Sequence, residues 1–300
     1  MVNPAATQPS TTSATSPPGS DDGTDRLGDR AAFIRTETIR LIEIAKVGHY
    51  SSVFSAAEIF AALYYDVMRI DPARPDWQDR DRFLMGKGHA AVGLYPVLGD
   101  LGYFPMGLLD GYAHLGSSFG DHPDMTKIPG IDFSSGSIGH ALSNGVGMAL
   151  GGRLAGRDFT VFVMLGDGEM QEGQVWEAAL SAAHHRLDRV VAIVDRNGFQ
   201  LDGGVDDVIG IEPLAEKWRA FGWHVVAVDG HDVGAVRQVL REAKQGPRTG
   251  IPTCIIANTV KGKGVSYMET EPGWHLGYLE PADGERAVAE ILAARNGVGA

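Results

Sequence analysis

The chain carries one cysteine, Cys254, in 300 residues, which excludes an internal disulfide and any metal site built from clustered thiolates. A metal here has to be held by oxygen or imidazole, and a reducing compartment is favoured. Basic residues are also scarce: 26 Lys and Arg against 38 Asp and Glu leave a formal charge of −12, which argues against binding nucleic acid by general phosphate attraction. Long apolar runs are missing. Stretches such as Phe159 to Leu165 fall far below the roughly 20 residues that a membrane-spanning helix needs. The first residues show no basic segment leading into an apolar one and little arginine, so neither a secretory signal nor a transit peptide is expected. With 44% apolar and 21% charged residues, the composition is that of a soluble globular protein, and the cytoplasm is the expected location.

Glycine, by contrast, is plentiful: 40 residues, about 13% against a usual 7%. The glycines cluster, as in Gly86 and Gly88, Gly136 and Gly139, Gly166 and Gly168, and Gly262 and Gly264. Backbone that turns tightly or approaches a ligand closely needs glycine, because the missing Cβ permits positive φ and close contact.

Residues 1–25 are rich in Pro, Ser, Thr and Asp with little to bury, and read as a disordered tail. Residues 26–300 read as one α/β domain. Apolar spacing predicts helices from Arg30 to Val47 and from Ser55 to Met68. The later chain alternates strands at Thr160–Leu165, Val190–Val194, His224–Val228 and Thr253–Asn258 with helices at Gln174–His184, Pro213–Phe221 and Val233–Ala243, and closes on a helix at Glu285–Arg295. Strands that are apolar throughout and separated by helices indicate a parallel sheet with helices on both faces.

In such a sheet, ligands bind outside the carboxyl ends of the strands. The strand ending at Leu165 runs into Gly166-Asp167-Gly168-Glu169, and the strand ending at Val194 runs into Asp195-Arg196-Asn197-Gly198. Asp167 and Asn197 are therefore expected on neighbouring loops, both offering the hard oxygen that Mg²⁺ or Ca²⁺ prefers when a phosphate completes the shell. The glycines around them let a diphosphate approach the backbone, and the helix after Gly173 adds its positive end. Taken singly, Asp-Gly and Asn-Gly also serve as plain turn dipeptides.

Six stretches in order, IEIAKVGHYSS, RFLMGKGHAA, GDHPDMTKIPGIDFSSGSIGHALSNGVGMAL, GDGEMQEGQVWEAA, DRNGFQLDG and ANTVKGKGVSYMETEPGWHLG, run from about residue 42 to residue 277. They resemble the N-terminal half of transketolase, a thiamine diphosphate enzyme. The resemblance implies the thiamine diphosphate-binding fold, with Asp167 and Asn197 as side-chain ligands of Mg²⁺ or Ca²⁺ and Phe199 as a carbonyl ligand. Gly168 matches the glycine against the diphosphate. Gly136 and Ile138 match the segment that contacts the aminopyrimidine, and Glu172 matches an acid in a carboxylate network between cofactor sites. His49, His89, His122 and His275 match histidines that line the substrate channel and shuttle protons, with His89 and His275 also close to the cofactor. Imidazole suits that role because it titrates near neutrality. His184, His185, His224 and His231 lack such a context and read as structural.

In the family, the glutamate that activates the cofactor belongs to a second, pyrimidine-binding domain. No second set of α/β blocks follows residue 280, so the resemblance implies a split transketolase. This chain would be its diphosphate-binding subunit, inactive alone. A separate chain would bring the pyrimidine-binding and C-terminal domains, in an α2β2 assembly acting on sugars or sugar phosphates. The expected activity is transfer of a two-carbon ketol unit from a ketose to an aldose. The alternatives are another thiamine enzyme, such as a deoxyxylulose phosphate synthase or a 2-oxoacid dehydrogenase subunit, and a non-catalytic assembly subunit. Tyr50, Gly86 and His140 depart from the family pattern, Tyr50 standing where a proline is usual beside the channel.

Overall fold

The computed structural model describes residues 23–201 and 203–296. Its helices are α1 Thr24–Ala45, α2 Tyr50–Phe54, α3 Ala57–Ala62, α4 Ala91–Asp100, α5 Ala141–Leu154, α6 Gly173–His184, α7 Val205–Ile209, α8 Leu214–Ala220, α9 Val233–Gln245 and α10 Pro281–Arg295. Its strands are β1 Arg82–Met85, β2 Val161–Gly166, β3 Val190–Arg196, β4 Phe199–Gln200, β5 Gly203–Gly204, β6 His224–Asp229 and β7 Thr253–Asn258. Five of them form one all-parallel sheet in the order β1-β2-β3-β7-β6, while β4 and β5 make a two-residue antiparallel ribbon.

The sheet is apolar on both sides because strand side chains alternate. Val161, Val163 and Leu165 face one core with Ala192, Val194 and Ile256, covered by α5, α6 and α8. Phe162 and Met164 face the other with Val191, Ile193 and Ile255, covered by α1, α3, α4 and α9. Cys254 is buried within the first of these cores, with its thiol pushed well up by burial.

Several expectations change in detail. Helix α1 begins at Thr24, so Thr24 and Asp25 belong to the fold rather than to a tail, and residues 1–22 lie outside the described residues. The helix expected over Ser55–Met68 is the short α3 followed by a π turn at Leu63–Val67, and it is set off from the preceding α2. The break falls at Ser55, whose hydroxyl donates to Asp195 Oδ2 at 2.7 Å. Strand β1 at the sheet edge and helices α4 and α5 carry no clear periodic signal. Pro96 and two glycines interrupt α4, and α5 holds four glycines, residues that lower helix propensity. Two of those in α5 serve close packing: a Cβ on Gly145 would lie 2.7 Å from Val163, and one on Gly152 would lie 2.6 Å from Phe159.

Candidate functional site

Because β2 and β3 are paired in register, with Gly166 opposite Asp195, their following loops leave the sheet side by side. Asp167 starts a short 3-10 turn at the first end, and its Oδ1 accepts from the Gly168 amide at 2.8 Å. Its Oδ2 accepts from Gly198 N, on the second loop, at 2.5 Å. Asn197 turns its Oδ1 back to accept from Phe199 N at 3.1 Å. The two loops thus meet at a cavity of about 160 Å³ lined by His89, Ile138, Asp167, Gly168, Asn197, Phe199 and His275 among the sequence-predicted residues, with Ser52, Lys87, Glu169 and Lys261 beside them.

The electrostatics of this cavity are those of an excess of buried carboxylate. Asp167 is 1% exposed, and burial, with the like charge of Asp195, lifts it to about 7 against the pull of the Gly198 and Gly168 amides. Glu169 is likewise raised to about 7 by burial, although the amides of Gly139 and Gly166 donate to it at 2.7 and 3.1 Å. Asp195 is different. Burial works against its charge, but Lys87, Thr259 and Ser55 all donate to the carboxylate and hold it below its ordinary value. Oxygen donors around an under-compensated buried charge suit a hard divalent cation, so the residues present fit the expected metal.

Three histidines meet at one wall. The rings of His49 and His89 lie 5.0 Å apart, and His275 is 5.2 Å from each. A backbone bridge between Gly48 and Gly277, at 2.9 and 3.0 Å, and a bond from Ser51 Oγ to Trp274 O at 2.8 Å bring the distant His49 and His275 segments together. His89 Nε2 contacts Ser52 Oγ at 3.0 Å, and burial, with the charge of Lys87 next, drives this imidazole well below its usual range. His89 therefore stands neutral at physiological pH, able to accept a proton or a hydrogen bond. His122 stands further out, and its link to the cluster is Asp121, whose carboxylate lies 3.2 Å from His49 Nδ1 and 3.3 Å from His122 Nδ1.

The Gly136-Ser137-Ile138 segment is open, and a Cβ on Gly136 would face the His122 ring at 3.5 Å. Gly168 has its own reason to be glycine, since a Cβ there would reach Gln200 at 2.7 Å. Glu172 lies outside the cavity and is exposed at the start of α6, while the buried acid of that segment is Glu169. Tyr50 does not line the channel: it is fully buried, packs against Phe54, and its hydroxyl accepts from Leu279 N at 3.1 Å. Gly86 is explained by Glu169, whose carboxylate oxygens would lie 2.3 Å from any Cβ at that position. His140 is exposed and contacts the Ile138 carbonyl at 3.2 Å. His231 packs structurally between Glu58 Oε2 at 3.1 Å and Val260 N at 2.8 Å.

Five further residues of the site, Lys87, Asp121, Glu169, Asp195 and Lys261, are not singled out by the sequence motifs. Each stands inside or beside one of them, and that adjacency is the signal by which it could be found. The buried pairing of Lys87 with Asp195, 108 positions apart, has no local signature.

Residues 29–290 match the family model described as "Transketolase, thiamine diphosphate binding domain". The chain is 41% identical over 265 residues to the 6-deoxy-6-sulfo-D-fructose transketolase subunit of a Clostridium species, covering 88% of this chain and 96% of that one. It is 38% identical over 255 residues to a subunit of the apulose-4-phosphate transketolase of Phocaeicola vulgatus, covering 84% and 90%. Among solved structures, transketolase from Leishmania mexicana superposes with a TM-score of 0.82 at 30% identity over 90% of this chain. That match takes in only 41% of the longer protein, so the chain spans about two-fifths of such full-length relatives.

Proposed function

The chain belongs to the transketolase thiamine diphosphate-binding family, and from that premise we propose that it is the diphosphate-binding subunit of a split transketolase, moving a two-carbon ketol unit from a ketose to an aldose. The observation that carries this reading is the pairing of Asp167 and Asn197 on adjacent loops at one cavity, with the Asp167 carboxyl buried and raised to about 7. Asp167, Asn197 and the Phe199 carbonyl would hold Mg²⁺ or Ca²⁺, and the amides and glycines at 166–168 would receive the diphosphate. Bound thiamine diphosphate supplies the carbon nucleophile that accepts the ketol unit.

The chain's own residues then work on protons and position. His89, kept neutral by its surroundings, would accept a hydrogen bond from a sugar hydroxyl as its proton moves, and His49 and His275 stand beside it on the same wall. His122 would hold a sugar hydroxyl further out, beside the open Gly136–Ile138 segment on which the pyrimidine ring would lie. Glu172, exposed at the rim, is available to a carboxylate network completed by another chain. Two relatives are themselves named as transketolase subunits, which supports a separate partner bearing the pyrimidine-binding domain, in an α2β2 assembly. Their names also specify a sulfo-sugar and a sugar phosphate, which favours a ketose donor with an anionic terminus. A single cysteine, buried in the core, supports a location in the reducing cytoplasm.

Titration of the reconstituted complex with thiamine diphosphate and Mg²⁺ tests the reading. Asp167→Ala and Asn197→Ala should each abolish metal-dependent binding, and unchanged affinity in both would overturn the metal assignment.

A further inference from the structure

Asp121 has an unusual set of partners for a carboxylate. Its Oδ1 lies 3.2 Å from His49 Nδ1 and accepts from the Tyr112 hydroxyl at 3.4 Å, and its Oδ2 lies 3.3 Å from His122 Nδ1. Among the described residues it pairs with no lysine or arginine. Its side chain is 38% exposed, so water competes for it, yet it sits between two imidazoles. The backbone around it is held from below. Tyr95, buried, donates its hydroxyl to Gly120 O at 2.8 Å, and Ala113 N donates to Phe119 O at 2.8 Å. A carboxylate on so fixed a segment is placed, not merely solvated.

An ionised carboxylate only accepts hydrogen bonds, so the His49 imidazole bonded to it must present a proton on Nδ1. In a neutral ring that leaves Nε2 as the acceptor, on the opposite edge. His49 is hydrogen-bonded to Asp121 through Nδ1 rather than Nε2, whereas His122 Nδ1 lies at ion-pair distance without forming a hydrogen bond. The His49 ring stands against His89 and His275, with Lys87 behind His89.

We propose that Asp121 is a positioning residue that locks His49 in one tautomer, proton on Nδ1 and lone pair on Nε2, so that it presents an acceptor to the substrate. When that Nε2 takes a proton, the imidazolium formed is neutralised by the same carboxylate. A residue 72 positions away in the chain thereby sets the protonation geometry of His49. The catalytic consequence rests on the ketol-transfer reading, whereas the tautomer does not.

The test uses two readouts on Asp121→Asn and Asp121→Glu. An amide can donate as well as accept, so asparagine no longer fixes the His49 proton on Nδ1. Imidazole ¹⁵N spectra of the full chain should show His49 protonated on Nδ1 in the natural protein, a mixture of Nδ1- and Nε2-protonated forms in Asp121→Asn, and the Nδ1 form restored in Asp121→Glu. In the reconstituted complex, Asp121→Asn should lower kcat at least about tenfold, short of or within the roughly 10² to 10⁴ ascribed to a general acid or base, with thiamine diphosphate affinity unchanged. Natural protein with His49 protonated on Nε2, or spectra identical in Asp121→Asn, overturns the proposal whatever the activity. The expected spectra together with a complex that transfers no ketol unit uphold the Asp121 coupling and tell against the ketol-transfer reading instead.

Discussion

Asp167 Oδ2 accepts a hydrogen bond from Gly198 N at 2.5 Å, and this one contact ties the loop leaving β2 to the loop leaving β3. It holds a buried carboxyl that burial lifts to about 7, and much of what can be measured on the chain follows from it.

Asp167 is raised from 3.8 to about 7, so between those values the folded chain keeps a proton that the unfolded chain has released. Stability of the cofactor-free chain should therefore fall as pH rises from about 4 to about 7, with Glu169 acting in the same direction. Asp167→Asn should flatten that dependence and leave the free chain at least as stable at pH 7.5, while removing its response to Mg²⁺ and thiamine diphosphate. Thermal melts across pH, with and without the pair of ligands, check both halves; a variant clearly less stable than the natural chain at pH 7.5 would contradict the assignment.

Glu58 behaves in the opposite sense. Burial opposes its charge, but Arg35 at 2.7 Å and His231 hold it down at about 2 against an ordinary 4.5. The stability it contributes is fully present above about pH 4.5 and is lost as pH falls toward 2. Glu58→Gln should destabilise the chain by on the order of 3 kcal/mol at pH 7, and the difference should close in acid. Denaturant melts at pH 7 and pH 3 provide the comparison.

Alanine at His89, His122 or His275 should lower turnover of the reconstituted complex by roughly 10² to 10⁴ while leaving cofactor affinity and melting temperature near normal. His275 carries the smallest expected separation, because its segment is pinned to Gly48 and lines the cofactor cavity as well. Full kcat and kcat/KM in all three variants would remove the histidine channel from the mechanism.

Tyr50→Phe should destabilise by about 1 to 3 kcal/mol, the usual effect of leaving a buried amide, here Leu279 N, without its acceptor. Because Tyr50 lies in the core and not in the channel, KM for the sugar should stay unchanged in the same variant.

The parts of the fold that are legible in the sequence are those with one regular signal. Strands β2, β3, β6 and β7 are largely unbroken apolar runs, and the helices between them keep a helical period, so the sheet and its two covered faces can be read directly. Strand β1 is four residues long, and α4 and α5 are interrupted by glycine and proline where the packing is close, so their local preferences point away from the structure they adopt. The same division holds at the site. Asp167 and Asn197 stand in motifs at strand ends, where topology alone brings them together. Lys87 with Asp195, Asp121 with His49, and Gly86 beneath Glu169 depend on tertiary approach between segments distant in sequence, and no spacing rule encodes those pairs. Tyr50 illustrates a related limit: its place in the motif is beside the channel, but its side chain turns the other way, into the core.

The most direct test of the account is ketol transfer measured on the purified chain alone and after addition of a partner chain carrying the pyrimidine-binding domain. With thiamine diphosphate, Mg²⁺, a ketose donor and an aldose acceptor, the chain alone should give no turnover, and the mixture should give turnover in the ordinary range of roughly 1 to 10³ s⁻¹ that is lost on chelation of the metal. Turnover at such a rate by the chain alone, or a mixture that binds cofactor and assembles but transfers no two-carbon unit, would contradict it.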